Sequence, residues 1–355
     1  MKLYNRELNE IENPERYDRI QNIVKRQIEF LTNTYGIDEK MLQDRAEGLA
    51  VIERRPTDET YFVEYNGKKQ EFPNNKSAAF AAIKNQEYDG TKWNFENGIY
   101  ISDINKEHSI IHELFHFLSQ KQQMEFDEND IGYTKSGILI SGYNREDKLV
   151  DKSLCARGLN EGITELLAMK MNTGVTMPQG YAFQVYMADI LIGNQHNSLM
   201  KAYFSDDKED FKKFLDEFDK RQNTISSQKL IEMSTTNQTV VDTQILKGCM
   251  EYALSFCKNM DELNEEKNRL LPIFKAMLKN DNIEFDMEQF DLKQFFNKSM
   301  LQKKEEIEGL AHNTELLDSA IEATEKVTKN NTIREEVMKL NKIEKNRDAN
   351  EKAIE

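Results

Sequence analysis

The sequence predicts an α+β fold, mostly helical, in which a small mixed β-sheet precedes one particular helix and the C-terminal half is helical. Three observations carry that prediction. Apolar residues recur every three or four positions through most of the 355 residues. Short β-like runs concentrate between Leu49 and Ile101 and again between Ile131 and Arg145. From about Leu199 onward the helical spacing dominates. The chain accordingly divides into N-terminal helices at 1–47, a core at 48–198, a helical domain at 199–300 and a charged helical segment at 301–355.

Taken in order, Asn13-Pro14 is a cap followed by a first-turn proline. Tyr17, Ile20, Val24, Ile28 and Leu31 then mark one face of a helix that Gly36 can stop, and such a stripe serves packing. A second short helix is expected over Asp38–Ala46. Leu49-Ala50-Val51-Ile52 reads as a strand. Tyr61–Tyr65 runs through Asn66-Gly67 into a return strand at Lys68–Phe72, because Asn-Gly supplies the positive φ of a two-residue hairpin turn. A helix over Ser77–Lys84 and a strand at Gly98–Ile101 complete this region.

Between Ser102 and Gln120 the apolar residues Ile110, Ile111, Leu114, Phe115, Phe117 and Leu118 fall at helical intervals, with Asp103 or Asn105 as the cap. His108, Ser109, His112, Glu113 and His116 fill the opposite sector. His112-Glu113-Leu114-Phe115-His116 is an H-E-x-x-H sequence, which on a helix sets two imidazoles on one face with a carboxylate beside them. That pattern suits zinc, which needs a third protein ligand and an open position for water. Glu113 points alongside such a metal rather than at it, where it can take a proton from water. A second helix supplies acidic groups: Leu159, Ile163, Leu166 and Leu167 share one side, and Glu161 and Glu165 lie one turn apart on the other. Two carboxylates on an apolar helix are costly to bury unless something positive faces them.

His112-Glu113-x-x-His116 followed by Asn160-Glu161-x-x-Thr164-Glu165 resembles the gluzincin metallopeptidases, the thermolysin-like clan, over roughly residues 98–170. The resemblance implies zinc held by His112, His116 and Glu161, with Glu113 as general base. It makes Glu165 the acidic residue that orients a ligand histidine, with Asn160 beside it. The segment 117–160 is much longer than its thermolysin counterpart. A sheet edge near the first helix is expected to lie beside an extended peptide, although the sequence does not say which strand provides it.

Within the long segment, Gly137–Tyr143 looks extended, and Tyr143 is a candidate to donate to the oxyanion of a tetrahedral intermediate. Tyr181, Tyr186 and His196 are weaker candidates. His108 is either a partner of the site or a solvated residue at the helix start. Beyond Lys170 a helix is expected from Tyr181 to Gly193. Phe211, Phe214, Leu215 and Phe218 then mark one amphipathic face, and Val240, Ile245, Cys249, Ala253 and Phe256 another. Pro272 marks a start or kink in a helix over Ile273–Leu278.

Charge narrows the classes of partner. With 63 acidic against 48 basic residues, the formal net charge of -15 disfavours nucleic acid and anionic lipid. No apolar run is long enough to span a membrane, and the N-terminus has no secretory apolar region, so the expected location is cytoplasmic, with specialised secretion left open. Cys155, Cys249 and Cys257 have no metal or disulfide spacing. The expected function is zinc-dependent hydrolysis of a peptide or protein substrate. The alternative is a non-catalytic zinc-containing binding or regulatory protein, with the helical C-terminal half as the surface for a protein partner.

Overall fold

The computed structural model describes residues 1–302, 304, 305 and 309, apart from 56, 75–76, 173, 176, 179, 194–197, 235–241, 282, 284–291, 293 and 300. His196, Val240 and nearly all of 301–355 lie outside the described residues. The chain forms two compact units, Met1–Phe256 with Glu265–Phe290, and Cys257–Asn264 with Asp291–Glu355. In the second unit Phe295 and Phe296 meet edge to face, ring centroids 5.6 Å apart.

The class is α+β, with a seven-stranded mixed sheet and a three-stranded one. Strand β1 (Lys2–Tyr4) leads to α1 (Pro14–Tyr35) and α2 (Glu39–Glu47). Strands β2 (Ala50–Glu53), β3 (Thr60–Tyr65), β4 (Lys68–Pro73), β5 (Ala79–Tyr88) and β6 (Lys92–Ile101) follow, then α3 (Glu107–Leu118). The long segment after α3 holds β7 (Gln123–Glu125), β8 (Ile131–Ser136), β9 (Leu139–Asn144) and β10 (Leu149–Asp151). Helices α4 (Arg157–Met171), α5 (Ala182–Leu191), α6 (Ser198–Phe204), α7 (Lys208–Arg221), α8 (Ser227–Ile231), α9 (Thr243–Ser255) and α10 (Met260–Leu278) complete the described elements.

The large sheet runs β1-β2-β6-β5-β3-β4, with β7 on the outer half of β6; β8, β9 and β10 form the small sheet. The Asn66-Gly67 hairpin is present, with φ of 47° and 72° at its two turn residues. The region read as a helix over 77–84 is instead the start of β5, paired antiparallel with β6 from Ala79↔Ile101 onward. Alanines favour a helix locally, but Phe80 stacks on Tyr100 at 4.9 Å, and that sheet contact outweighs the small propensity difference. The N-terminal segment also departs from its expected separation. Leu3 and Tyr4 are buried, and β1 pairs in parallel with β2, so the first residues belong to the same sheet as the core. Pro272 lies inside α10 rather than at its start.

Helix α3 crosses the sheet over β5 and β6 and packs against α4 on its other side. Helix α1 fixes its angle. Arg19 and Arg26 reach Glu107 in the first turn of α3 at 3.1 and 3.0 Å, and Gln27 Nε2 donates to the Ile111 carbonyl at 2.8 Å. At the other end Arg45 Nη1 donates to the Leu118 carbonyl at 2.6 Å, a cation where the helix dipole is negative. The expected cap is different: neither Asp103 nor Asn105 caps α3, whose N-cap is Lys106, because Asp103 Oδ1 accepts from Asn105 N instead.

Candidate metal centre

The polar sector of α3 is not a solvated face. His112 and His116 are 9% and 8% exposed, covered by α4 and by Tyr181 at the start of α5. Helix α4 is held close to α5, where a side chain at Gly162 would strike the backbone of Gln184, and it packs on α3 as well. Its acidic positions thereby face α3.

His112, His116 and Glu161 form a group that can hold a metal ion. Glu161 Oε2 lies 3.4 Å from His112 Nε2 and 3.3 Å from His116 Nε2. Metal–ligand bonds of about 2.0 to 2.2 Å at tetrahedral angles set ligand atoms about 3.3 to 3.6 Å apart, so both spacings match an edge of such a site.

The second nitrogen of each imidazole is occupied, which leaves Nε2 to face the centre. His112 Nδ1 meets Glu165 Oε2 at 2.9 Å, and Glu165 Oε1 meets His108 Nε2 at 3.0 Å. His116 Nδ1 lies 3.4 Å from Thr164 Oγ1, which contacts the Tyr203 hydroxyl at 2.6 Å. These contacts orient the rings and suit a proton on Nδ1 when a metal takes Nε2. His108 therefore joins the site through Glu165.

The cluster attracts positive charge strongly. Burial works against a charged His112, yet the Glu161 and Glu165 carboxylates outweigh it and push its pKa up to about 10. Burial likewise works against ionised Glu161, and His116 and His112 still hold it well below the usual carboxylate range. Glu165, buried but bonded by His108 and His112, is held down to about 2. Neutral imidazole nitrogens and an ionised carboxylate are donors suited to a transition-metal cation.

Glu113 stands apart from the three ligand candidates. Its Oε2 accepts from the backbone N–H of Ala81 at 2.7 Å. Among the described residues, Ala81 lies where β5 is paired on one side only: β3 joins β5 at Glu64↔Asn85 and Tyr65↔Gln86. The side of 79–83 away from β6 is thus an open strand edge among the described residues. Arg54, which is buried, acts electrostatically on Glu113; burial lowers the Arg54 pKa, and Asp58 and Glu113 oppose that. No motif marks Arg54 or Ala81, since both reach the site only through the sheet.

Two expected residues sit differently. Asn160 does not touch the imidazoles; its Oδ1 accepts from Ile138 N at 2.9 Å and clamps the turn between β8 and β9. Gly137 (φ 63°) makes that turn, where any side chain would collide with Asn160 and Tyr203. Tyr143 is not beside the cluster either. The groups acting on it are Asp147, Cys155, Thr134 and Arg157. The hairpin turn meets α4 at Asn160, and five residues of strand at about 3.3 Å each carry Tyr143 from there to the start of α4 at Arg157. Tyr181 is the tyrosine the fold brings in. Its ring lies 6.5 Å from that of His112, it takes the left-handed conformation (φ 53°), and burial followed by Glu161, Glu113 and Glu165 raises its pKa. Tyr186 receives a bond from Asn280 at 3.4 Å instead.

No family model matches this chain, and no curated protein or solved structure is similar to it.

Proposed function

We propose that the protein is a zinc-dependent peptidase of gluzincin type, with His112, His116 and Glu161 as ligands and Glu113 as general base. The observation that carries the reading is the division of labour around α3. Three donor atoms converge, with Glu161 Oε2 at 3.4 and 3.3 Å from the two histidine nitrogens, while a fourth side chain, the Glu113 carboxylate, stays out of the cluster and accepts from the β5 backbone. A purely structural metal site has no use for that carboxylate.

Zinc supplies Lewis acidity at such a site, polarising a peptide carbonyl and bringing the pKa of water toward about 7. The remaining work belongs to the chain. An extended peptide can add along the free edge of 79–83, using backbone groups of β5 to hold its register. Glu113 takes the proton of the attacking water and passes it to the departing amine. Tyr181, whose ring lies 6.5 Å from that of His112, donates to the developing oxyanion in this reading. Glu165 and Thr164 keep the two imidazoles oriented throughout.

Glu113→Gln tests the reading. The variant is expected to keep about one zinc per chain while hydrolysis of a peptide library falls by roughly 10²- to 10⁴-fold, the range of general-base catalysis. Metal content by plasma mass spectrometry and product analysis measure the two arms. A zinc-loaded variant as active as the parent would remove Glu113 from the mechanism. A zinc-loaded parent that cleaves nothing would favour the binding-protein reading.

A further inference from the structure

A cavity of about 510 Å³ lies between the large sheet and the β8–β9 hairpin. It falls within the range of about 300 to 1,000 Å³ typical of ligand sites. One wall is aromatic, from Tyr65, Phe72, Trp93 and Phe95, and the hairpin wall supplies Leu139 and Tyr143. Stretches of the 117–160 segment thus line it, together with the sheet.

Two of the elements that build the metal centre, β5 and α4, also contribute residues to the cavity. Ala81 is bonded to Glu113, and the next two residues of β5, Ala82 and Ile83, line the cavity. On the other side Arg157, one helical turn of α4 before Glu161, lines it as well. A chain laid along the open edge of β5 enters this space within about five residues of the metal centre, at about 3.3 Å per residue.

We infer that this cavity is the specificity site of the hydrolysis proposed above, on which the inference rests: it takes a large aromatic or aliphatic side chain of a peptide extended along β5. Burial of such a side chain against aromatic walls supplies the selection, and the inserted hairpin decides which side chains fit.

Trp93 is the single tryptophan of the chain and lines the cavity, so its emission reports occupancy directly. The full-length Glu113→Gln chain, with zinc and again with chelator, would be titrated with short acetylated and amidated alanine–serine peptides. A single phenylalanine is walked along them. One position of phenylalanine is expected to give a saturable change and bind about ten- to a hundred-fold tighter than the all-alanine–serine control. Ser141→Phe, which places a ring in the cavity, should abolish that preference, and Phe95→Ala should weaken it. Equal dissociation constants for the phenylalanine and control peptides, or no saturable change, would overturn the assignment. Peptide selection without cleavage by the zinc-loaded parent would sink the hydrolysis reading and leave the cavity standing. Cleavage indifferent to the phenylalanine position would do the reverse.

Discussion

The α3–α4 pair and the α7–α9 pair are both buried, and they bury opposite chemistry. Between α7 and α9 rings meet: Tyr252 lies 5.8 Å from Phe214 and 5.3 Å from Phe218. Each such side chain stabilises the fold by about 1.5 to 3 kcal/mol through removal from water. Between α3 and α4 the corresponding positions are His112, His116, Glu161, Thr164 and Glu165, linked by hydrogen bonds. Buried charge is costly unless every member is satisfied, so a network of this kind is retained for what it does rather than for stability. The same helix-on-helix geometry thus serves packing in one place and chemistry in the other.

The largest expected effect separates the two pairs outright. Glu161→Ala removes the one carboxylate that bridges both imidazoles, and bound metal is expected to fall well below one per chain, with hydrolysis lost. The aromatic pair has no stake in that change, so the metal-free protein should lose only the stability that Glu161 gains from its contacts with His112 and His116. Plasma mass spectrometry and a urea titration measure the two sides, and unchanged metal content would refute the ligand assignment.

Phe214→Ala is the mirror experiment. Phe214 is 1% exposed, and its loss should cost about 3 to 5 kcal/mol in stability, read from the urea midpoint. Metal affinity below the melting range should stay as it is. A loss of metal in proportion to the lost stability would show that the two regions are one cooperative device.

The two pairs were not equally legible in the sequence. Phe211, Phe214 and Phe218 announce their burial by spacing, and so do Ile110, Ile111, Leu114 and Phe115. The ligand candidates were legible too, because H-E-x-x-H and the Glu161–Glu165 spacing each lie within a single helix. What surrounds them was not. Ala81 meets Glu113 only because β5 is a strand with a half-free edge, and Ser77–Lys84 read as a helix hides that. Tyr143 is a candidate in the sequence because its segment is anchored at both ends by the two metal-binding helices, whereas Tyr181 reaches His112 through the packing of α5 on α4. Local periodicity reports a residue's own element; partners across elements come from tertiary pairing.

A subtler change sharpens the same contrast from inside the polar pair. Glu165→Gln keeps size and hydrogen bonding but removes the charge that orients His112 Nδ1. Metal affinity is expected to fall about 10- to 100-fold, the usual effect of removing a ligand's supporting group, with the fold intact. Isothermal titration with zinc decides it; an unaltered affinity would make Glu165 a packing residue.

The smallest effect concerns Lys135, which belongs to neither pair and links the hairpin to α6. Its Nζ donates to the carbonyls of Gly137 at the hairpin turn and of Ala202 and Tyr203 in α6, at 2.5, 2.7 and 3.3 Å. Tyr203 in turn contacts Thr164 and through it His116. Burial pushes the Lys135 pKa down to about 7, whereas an unfolded lysine titrates near about 10.4. Between those values the unfolded chain holds a proton that the folded chain releases, so this residue makes stability rise with pH from about 7 toward 10. The three carbonyl acceptors favour the charged form and restrain the slope, leaving an expected gain of about 1 kcal/mol between pH 7 and 9. Lys135→Met should flatten that difference while leaving metal content unchanged, as measured by urea unfolding across the range. A variant with the parent's slope would mean that the protonated lysine, held by its carbonyls, persists in the folded chain, and the link between the hairpin and α6 would then be charged throughout.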